Sequence, residues 1–397
     1  MSRKFVTALV GFAMVLSAAE AGAIPAFARK YRISCNLCHS PIPALTAFGE
    51  TFAGNGFEVS PGEPPRDTIN TGDPLLRLQQ AIPFGVRIDA YVQGVSKTTG
   101  GAVQSDLQTP YSIKLLSGGQ IADKVSYYFY FFLSERGEVA GLEDAYIQFT
   151  DILGSGVSVI AGQFQVSDPL FKRELRLPFE DYQLYRMRVG DVRADLTYDR
   201  GAMLLYSPWE GGDLSVQILN GRGLEPAGEN RQYDSDNWKT FAARFSQDFS
   251  ILRLGGFGYF GREGREGEFD NIAVYGPDLT LSLGRVQLNA QYLRRTDSDP
   301  YFLNGDDTSV DSFLAEAVWA VNGPQGKLFI SGLANVLRSD EPIFSVRQGE
   351  ADALDRYESG ALGATYLLRR NLRLTGETQY DFQLDRVRFT AGFVTAF

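Results

Sequence analysis

From Val387 onward every second residue, Val387, Phe389, Ala391, Phe393, Thr395 and Phe397, shares one face, and the chain stops on it in phenylalanine. A period of two is the signature of a strand with two unlike faces. The same alternation sets Val86, Ile88, Ala90 and Val92 against Arg87, Asp89, Tyr91 and Gln93, and Val286, Leu288, Ala290 and Tyr292 against Gln287, Asn289 and Gln291. Leu214, Val216 and Ile218, and Leu372 and Leu374, follow suit. Sixteen such runs can be placed between 86–95 and 386–397, an even number as bacterial outer-membrane barrels require. The connections sharpen the reading. Those after even-numbered runs are short: Gly118-Gly119, Gly154-Ser155-Gly156, Glu210-Gly211-Gly212, Asp248-Phe249, Gly284, Asn322-Gly323-Pro324 and Arg370-Asn371. Several others, 165–200, 222–237, 296–308 and 338–355, are long and polar. Short turns at one end and long loops at the other describe an antiparallel barrel with both termini on the periplasmic side. A soluble sandwich or solenoid is the rival, and Phe, Tyr and Leu on one side of nearly every run disfavour it. Gly 42, Phe 28 and Tyr 19 against Met 4 and Cys 2 also suit strands and turns.

The beginning of the chain indicates export. Arg3 and Lys4 precede an apolar run from Phe5 to Ala19, and Ala21-Gly22-Ala23 offers small residues for cleavage. Residues 1–23 therefore read as a signal peptide, the run being short for an anchor that must cross about 30 Å of hydrocarbon. The formal net charge of −10 argues against a nucleic-acid partner, whose phosphates need a basic face.

Both cysteines and the single histidine of the whole chain fall within Ser34-Cys35-Asn36-Leu37-Cys38-His39. Cys-x-x-Cys-His is the attachment pattern of a c-type haem: two thiols add to the porphyrin vinyl groups, and the adjacent imidazole reaches the iron. A plain redox or structural Cys-x-x-Cys pair is the alternative, without the βαβ pattern of a thioredoxin-like domain to support it. Leu45, Phe48 and Phe52 recur at helical spacing, with Asn55-Gly56 as a helix stop. Pro61-Gly62-Glu63-Pro64-Pro65 then reads as a linker. The expected organisation is a signal peptide over 1–23, a small α-helical monohaem segment over 24–75, and an all-β porin-like barrel over 76–397. A segment of that size buries too little surface to shelter a haem alone, so the barrel is expected to wall it in.

The run from Pro25 to Tyr31, the motif itself, Phe48-Gly49-Glu50 and Asn55-Gly56 together resemble the haem segment of the fused monohaem cytochrome–porins of iron-oxidising bacteria. The resemblance is specific over residues 25 to 57 and rests on architecture alone over the barrel. It implies a protein of the bacterial outer membrane, in contact with its lipid, whose haem segment enters from the periplasmic side. It implies electron transfer from extracellular Fe(II) to a periplasmic cytochrome or another soluble acceptor. One covalently attached haem c would be held by Cys35 and Cys38, with His39 as the proximal iron ligand.

No second histidine exists for the sixth iron position, which leaves Met187, Met203, a lysine such as Lys30, water or an open site. Carboxylates gather in two long connections: Asp297, Asp299, Asp306 and Asp307, then Asp340, Glu341, Glu350, Asp352 and Asp355. Oxygen ligands suit hard divalent cations, and a negative mouth would concentrate Fe(II), although solvated loops carry such charges in any case. Glu263-Gly264-Arg265-Glu266-Gly267-Glu268 reads as a flexible charged loop. Asp168 and Glu180-Asp181 sit in the longest connection, which can fold inward as a constriction. No catalytic residues are expected: a triad lacks its histidine, and neither a phosphate loop nor a zinc spacing occurs. A diffusion porin with a redox-sensitive haem-bearing plug is the alternative function, and haem-based gas binding a third.

Overall fold

The computed structural model describes residues 26–60, 63, 68–97, 103–228, 230–234, 236–265, 267–303, 305–346 and 353–397. The expected signal peptide, four of the five linker residues (Pro61, Gly62, Pro64 and Pro65), Glu266, Glu350 and Asp352 lie outside the described residues.

Alternation produces the barrel. Its strands are β1 (Phe84–Lys97), β2 (Gln104–Ala122), β3 (Val125–Glu135), β4 (Gly141–Phe149), β5 (Ser158–Gln165), β6 (Tyr198–Trp209), β7 (Gly212–Leu219) and β8 (Thr240–Phe249). They continue with β9 (Leu252–Arg265), β10 (Glu268–Leu283), β11 (Val286–Asp297), β12 (Thr308–Ala320), β13 (Leu328–Ser339), β14 (Arg356–Arg369), β15 (Leu372–Asp381) and β16 (Arg386–Ala396). Each pairs antiparallel with its neighbours, and β16 closes on β1 from Arg386 opposite Lys97 to Ala396 opposite Arg87. Closure satisfies every edge, which a sheet in lipid requires. Along β16 the side chains of Phe389 and Phe393, like that of Phe397 just after it, are exposed while Thr390 and Val394 are buried, as the alternation requires.

Two local expectations are corrected. Gly118 and Gly119 are not a turn; β2 runs on to Ala122 and turns at Asp123-Lys124. Gly118 is instead a site of close approach, where a Cβ would lie 3.0 Å from the Phe27 ring. The stretch around Glu263 is not a flexible loop either. Glu263, Gly264 and Arg265 extend β9, and Arg265 pairs with Glu268 at the start of β10. The buried Glu263 carboxylate accepts a hydrogen bond of 2.9 Å from the Arg193 backbone N–H, which fixes that end of the hairpin.

The connection between β5 and β6, residues 166–197, folds into the lumen. It brings Val166, Tyr182, Leu184, Tyr185, Val192, Ala194 and Leu196 against inward-facing residues of the wall, among them Ile160, Tyr259, Val274, Leu293, Leu314 and Leu333. Tyr185 and Leu314 are 0% exposed. A short helix, Gln183–Arg186, forms inside this plug, and a two-residue ladder pairs Arg188–Val189 with Phe344–Ser345 of the β13–β14 loop. Polar ties fasten the plug around the wall: Gln217 of β7 donates to Val166 O (2.9 Å), Arg295 of β11 to Ala194 O (2.8 Å) and Asn335 of β13 to Asp181 O (3.0 Å). Glu377 of β15 accepts from the N–H groups of Phe179 (2.7 Å) and Glu180 (2.9 Å). The longest connection thus folds inward, and at this level the lumen is a packed core.

Candidate haem site

Three short helices precede the barrel: α1 (Ala26–Tyr31), α2 (Cys35–Cys38) and α3 (Ala47–Gly54). Thr46 organises the last two. Its hydroxyl accepts from Gly49 N (3.1 Å), capping α3, and donates to Leu37 O (2.6 Å), while its N–H bonds Cys38 O (2.9 Å). Asn55 ends α3 as expected. The apolar stripe buries Phe52 beside Tyr31 and Phe57, with Phe27 stacked on Phe57 at 4.8 Å between centroids. Phe57 in turn meets Tyr128 of β3 at 5.3 Å, so the small core is completed by the barrel wall.

The segment is seated in the mouth that carries the short turns. Arg29 donates to Phe84 O at the start of β1 (2.5 Å), and Gln148 of β4 to Gly54 O (2.7 Å). Ser40 donates to Pro324 O in the β12–β13 turn (2.6 Å), Asn36 bonds Gln325 beside it, and Arg373 of β15 donates to Ile42 O (2.9 Å). Glu50 faces Arg253 of β9 at 3.8 Å. These anchors lie all round the rim. A short ladder of Thr68–Ile69 with Leu78–Gln79 then leads into β1, straddling the expected boundary at residue 75.

Between this segment and the plug is a cavity of about 330 Å³, in the range of small-molecule sites. Cys35, Cys38 and His39 line it together. Neither cysteine is in a disulfide, and burial raises both thiol pKa values. His39 Nδ1 lies 2.6 Å from Pro43 O. A carbonyl only accepts, so Nδ1 carries the proton and Nε2 keeps its lone pair. Burial, opposed by backbone hydrogen bonds to Pro43 and Ala44, lowers the pKa of the ring and favours the neutral form. A neutral, oriented imidazole beside two free thiols is the donor set a c-type haem requires. The remaining walls suit a porphyrin: Phe27, Ile33, Leu45 and Phe52 come from the segment, and Leu116, Tyr128, Tyr130 and Tyr146 from the barrel.

Arg87, Arg373, Asp144, Lys172 and Glu174 also line the cavity and were not legible as site residues. They come from β1, β15, β4 and the plug, and only barrel closure brings them together. For Arg87, Arg373 and Asp144 the one sequence signal is charge on the lumenal parity of a strand; Lys172 and Glu174, in the plug, carry none.

Other expected site residues fall elsewhere. Met187 is buried with Val189, Val310 and Leu337, and Met203 packs in the main lumenal core; neither lines the cavity. Lys30 points its ammonium toward the Tyr31 ring at 5.2 Å and is not a lining residue either. Of the loop carboxylates, Asp297 is paired with Arg295 at 2.7 Å and 1% exposed, and Asp299 accepts from the N–H groups of Leu303 (3.0 Å) and Gly305 (3.2 Å). Both hold the structure instead of facing the medium. Asp306, Asp307, Asp340, Glu341 and Asp355 are exposed. Among the described residues no cluster of three His, Cys, Asp or Glu side chains is placed to hold a metal ion.

No family model and no curated protein matches the chain by sequence. Solved structures do match by shape. An anion-selective porin from Comamonas acidovorans superposes with a TM-score of 0.59 at 11% identity, over 80% of this chain and 99% of that one. The fold is that of an outer-membrane porin. OmpT of Vibrio cholerae in its trimer form gives 0.56 at 11% identity, over 80% and 99% of the two chains. The outer membrane channel DcaP of Acinetobacter baumannii gives 0.52 at 10%, over 80% and 97%. At such identities the porin likeness establishes the barrel fold, and leaves the role of the N-terminal segment to the chemistry of its own residues.

Proposed function

We propose that this porin-like barrel is a fused outer-membrane c-type cytochrome, passing electrons from an extracellular donor, Fe(II), to a soluble periplasmic acceptor. What carries the reading is the union of Cys35, Cys38 and a correctly protonated His39 on one cavity in the barrel mouth. Short turns mark the periplasmic end of bacterial barrels, so the segment enters from the periplasm. Cys35 and Cys38 would supply the thioether links, His39 Nε2 the iron bond, and Pro43 O the orientation of the ring. A haem c, when bound there, supplies one-electron exchange between ferrous and ferric iron. Phe27, Phe52, Tyr128 and Tyr146 would shield a porphyrin bound there from water, and the plug lies between the cavity and the outer mouth.

Diffusion is the second reading, favoured by the porin fold itself. The packing of residues 166–197 against Leu293, Leu314 and Leu333 weighs against it, because a diffusion pore needs a continuous aqueous path. The two readings separate in one preparation. The purified chain, matured with haem, is expected to stain for haem on a denaturing gel, to gain the ferrous absorption bands on adding Fe(II), and to leave a planar bilayer closed. Protein that conducts small solutes and stays ferric with Fe(II) would establish the porin instead.

A further inference from the structure

The charges around the cavity are unevenly placed. On one side, Arg87 of β1 and Arg373 of β15 face inward from strands separated only by β16. Arg373 pairs with Val394, and Val394 pairs in turn with Asp89, two residues along the same face from Arg87. Asp89 is already committed to Arg87, with Nε to Oδ1 and Nη2 to Oδ2 both 2.8 Å. Arg373 is 8% exposed. Its Nη1 is used by the Ile42 carbonyl, its Nε is buried with no partner, and among the described residues no carboxylate forms an ion pair with it. Asp89 acts on it by charge but is held by Arg87; a buried guanidinium without an ion pair of its own is costly, and a cation in a closed wall of a ligand cavity marks where an anion belongs. The acidic lining residues, Asp144, Asp168 and Glu174, belong to β4 and the plug; Asp168 faces Lys172 at 3.4 Å and Glu174 is spent on Lys114 at 3.0 Å.

We infer that Arg373, supported by Arg87, is the carboxylate-binding site of this cavity, taking a propionate of the porphyrin and turning its propionate edge toward the β15–β1 wall. The inference rests on the haem reading above. It adds a positioning and charge-compensating role for a barrel residue that lies outside the attachment motif.

The test uses the full chain in detergent after haem maturation, comparing the native protein with Arg373→Gln and Arg373→Lys. Glutamine can still donate to the Ile42 carbonyl, and a heat-modifiable gel shift reports whether the barrel has closed. Haem stoichiometry is expected to be unchanged, since the thioethers hold the porphyrin. In R373Q the midpoint potential moves downward, because loss of a nearby positive charge favours ferric iron, and the resonance Raman propionate bending mode shifts; R373K restores both in part. A native potential and native propionate mode in R373Q overturn the inference while leaving the haem reading intact. So does a change confined to the axial-ligand bands, which would mean that Arg373 only positions the Ile42 loop. Native protein without covalent haem overturns the functional reading itself and this inference with it.

Discussion

At Gly49 a side chain has nowhere to go. A Cβ there would meet the carbonyl of Cys38, a backbone atom fixed by its bond from Thr46 N, so α3 would have to move off the attachment motif. Overpacking of this kind costs about 1–3 kcal/mol. Gly49→Ala is therefore expected to leave barrel closure intact while lowering covalently bound haem several-fold, read as haem stain per unit of folded barrel on one gel. Equal haem loading would mean that α3 does not brace the motif. That Cys35, Cys38 and His39 share one cavity could be anticipated because they are near neighbours in sequence. Arg373 and Tyr128 were not, because nothing local distinguishes a lumenal arginine or tyrosine that meets the segment from one that does not.

Among the elements, the plug was only half legible. The length of the connection was plain, as were Asp168, Glu180 and Asp181 within it; its inward course was not. In retrospect the signal lay in strands apolar on both parities: β11 carries Leu293 next to Tyr292, and β12 carries Leu314 next to Phe313, where a lipid-facing strand over a wet lumen needs only one. Removing residues 170–195 should expose that apolar lining and turn a closed barrel into a conducting one; unchanged conductance would show that something besides the plug blocks the lumen. Electrostatics also hold it. Burial would raise the Asp181 carboxyl, but Arg173 at 2.6 Å, with Arg176 and Arg186 each at 3.5 Å, outweighs it and holds the carboxyl well below the usual range. A depressed carboxyl adds stability above its unfolded value of about 3.9 and loses it only as pH falls through the lower folded value. The bilayer conductance is accordingly expected to stay closed from pH 7 down to about 4. Opening within that window would show that Asp181 is not what keeps the plug in place.

For the whole molecule, the barrel could be read from sequence because each strand repeats one simple pattern and the connections alternate in length. Sixteen strands closed in sequence order leave little freedom, and errors such as Gly118-Gly119 fell at ends, where pattern gives way to tertiary contact. The loops resisted reading: Asp297 and Asp299 look like outward acids in sequence and prove to be internal supports. Taken together, a mouth holding the Cys35–His39 segment and a lumen packed above it by residues 166–197 are the two features on which the proposed electron-transfer role rests. The direct measurement is made on liposomes carrying the full chain, with a reducible dye trapped inside and Fe(II) added outside. Dye reduction without leakage of a trapped uncharged sugar, abolished in the Cys35→Ser, Cys38→Ser double variant, is the expected result. Reduction that persists in the double variant, or sugar escaping while the dye stays oxidised, would contradict it.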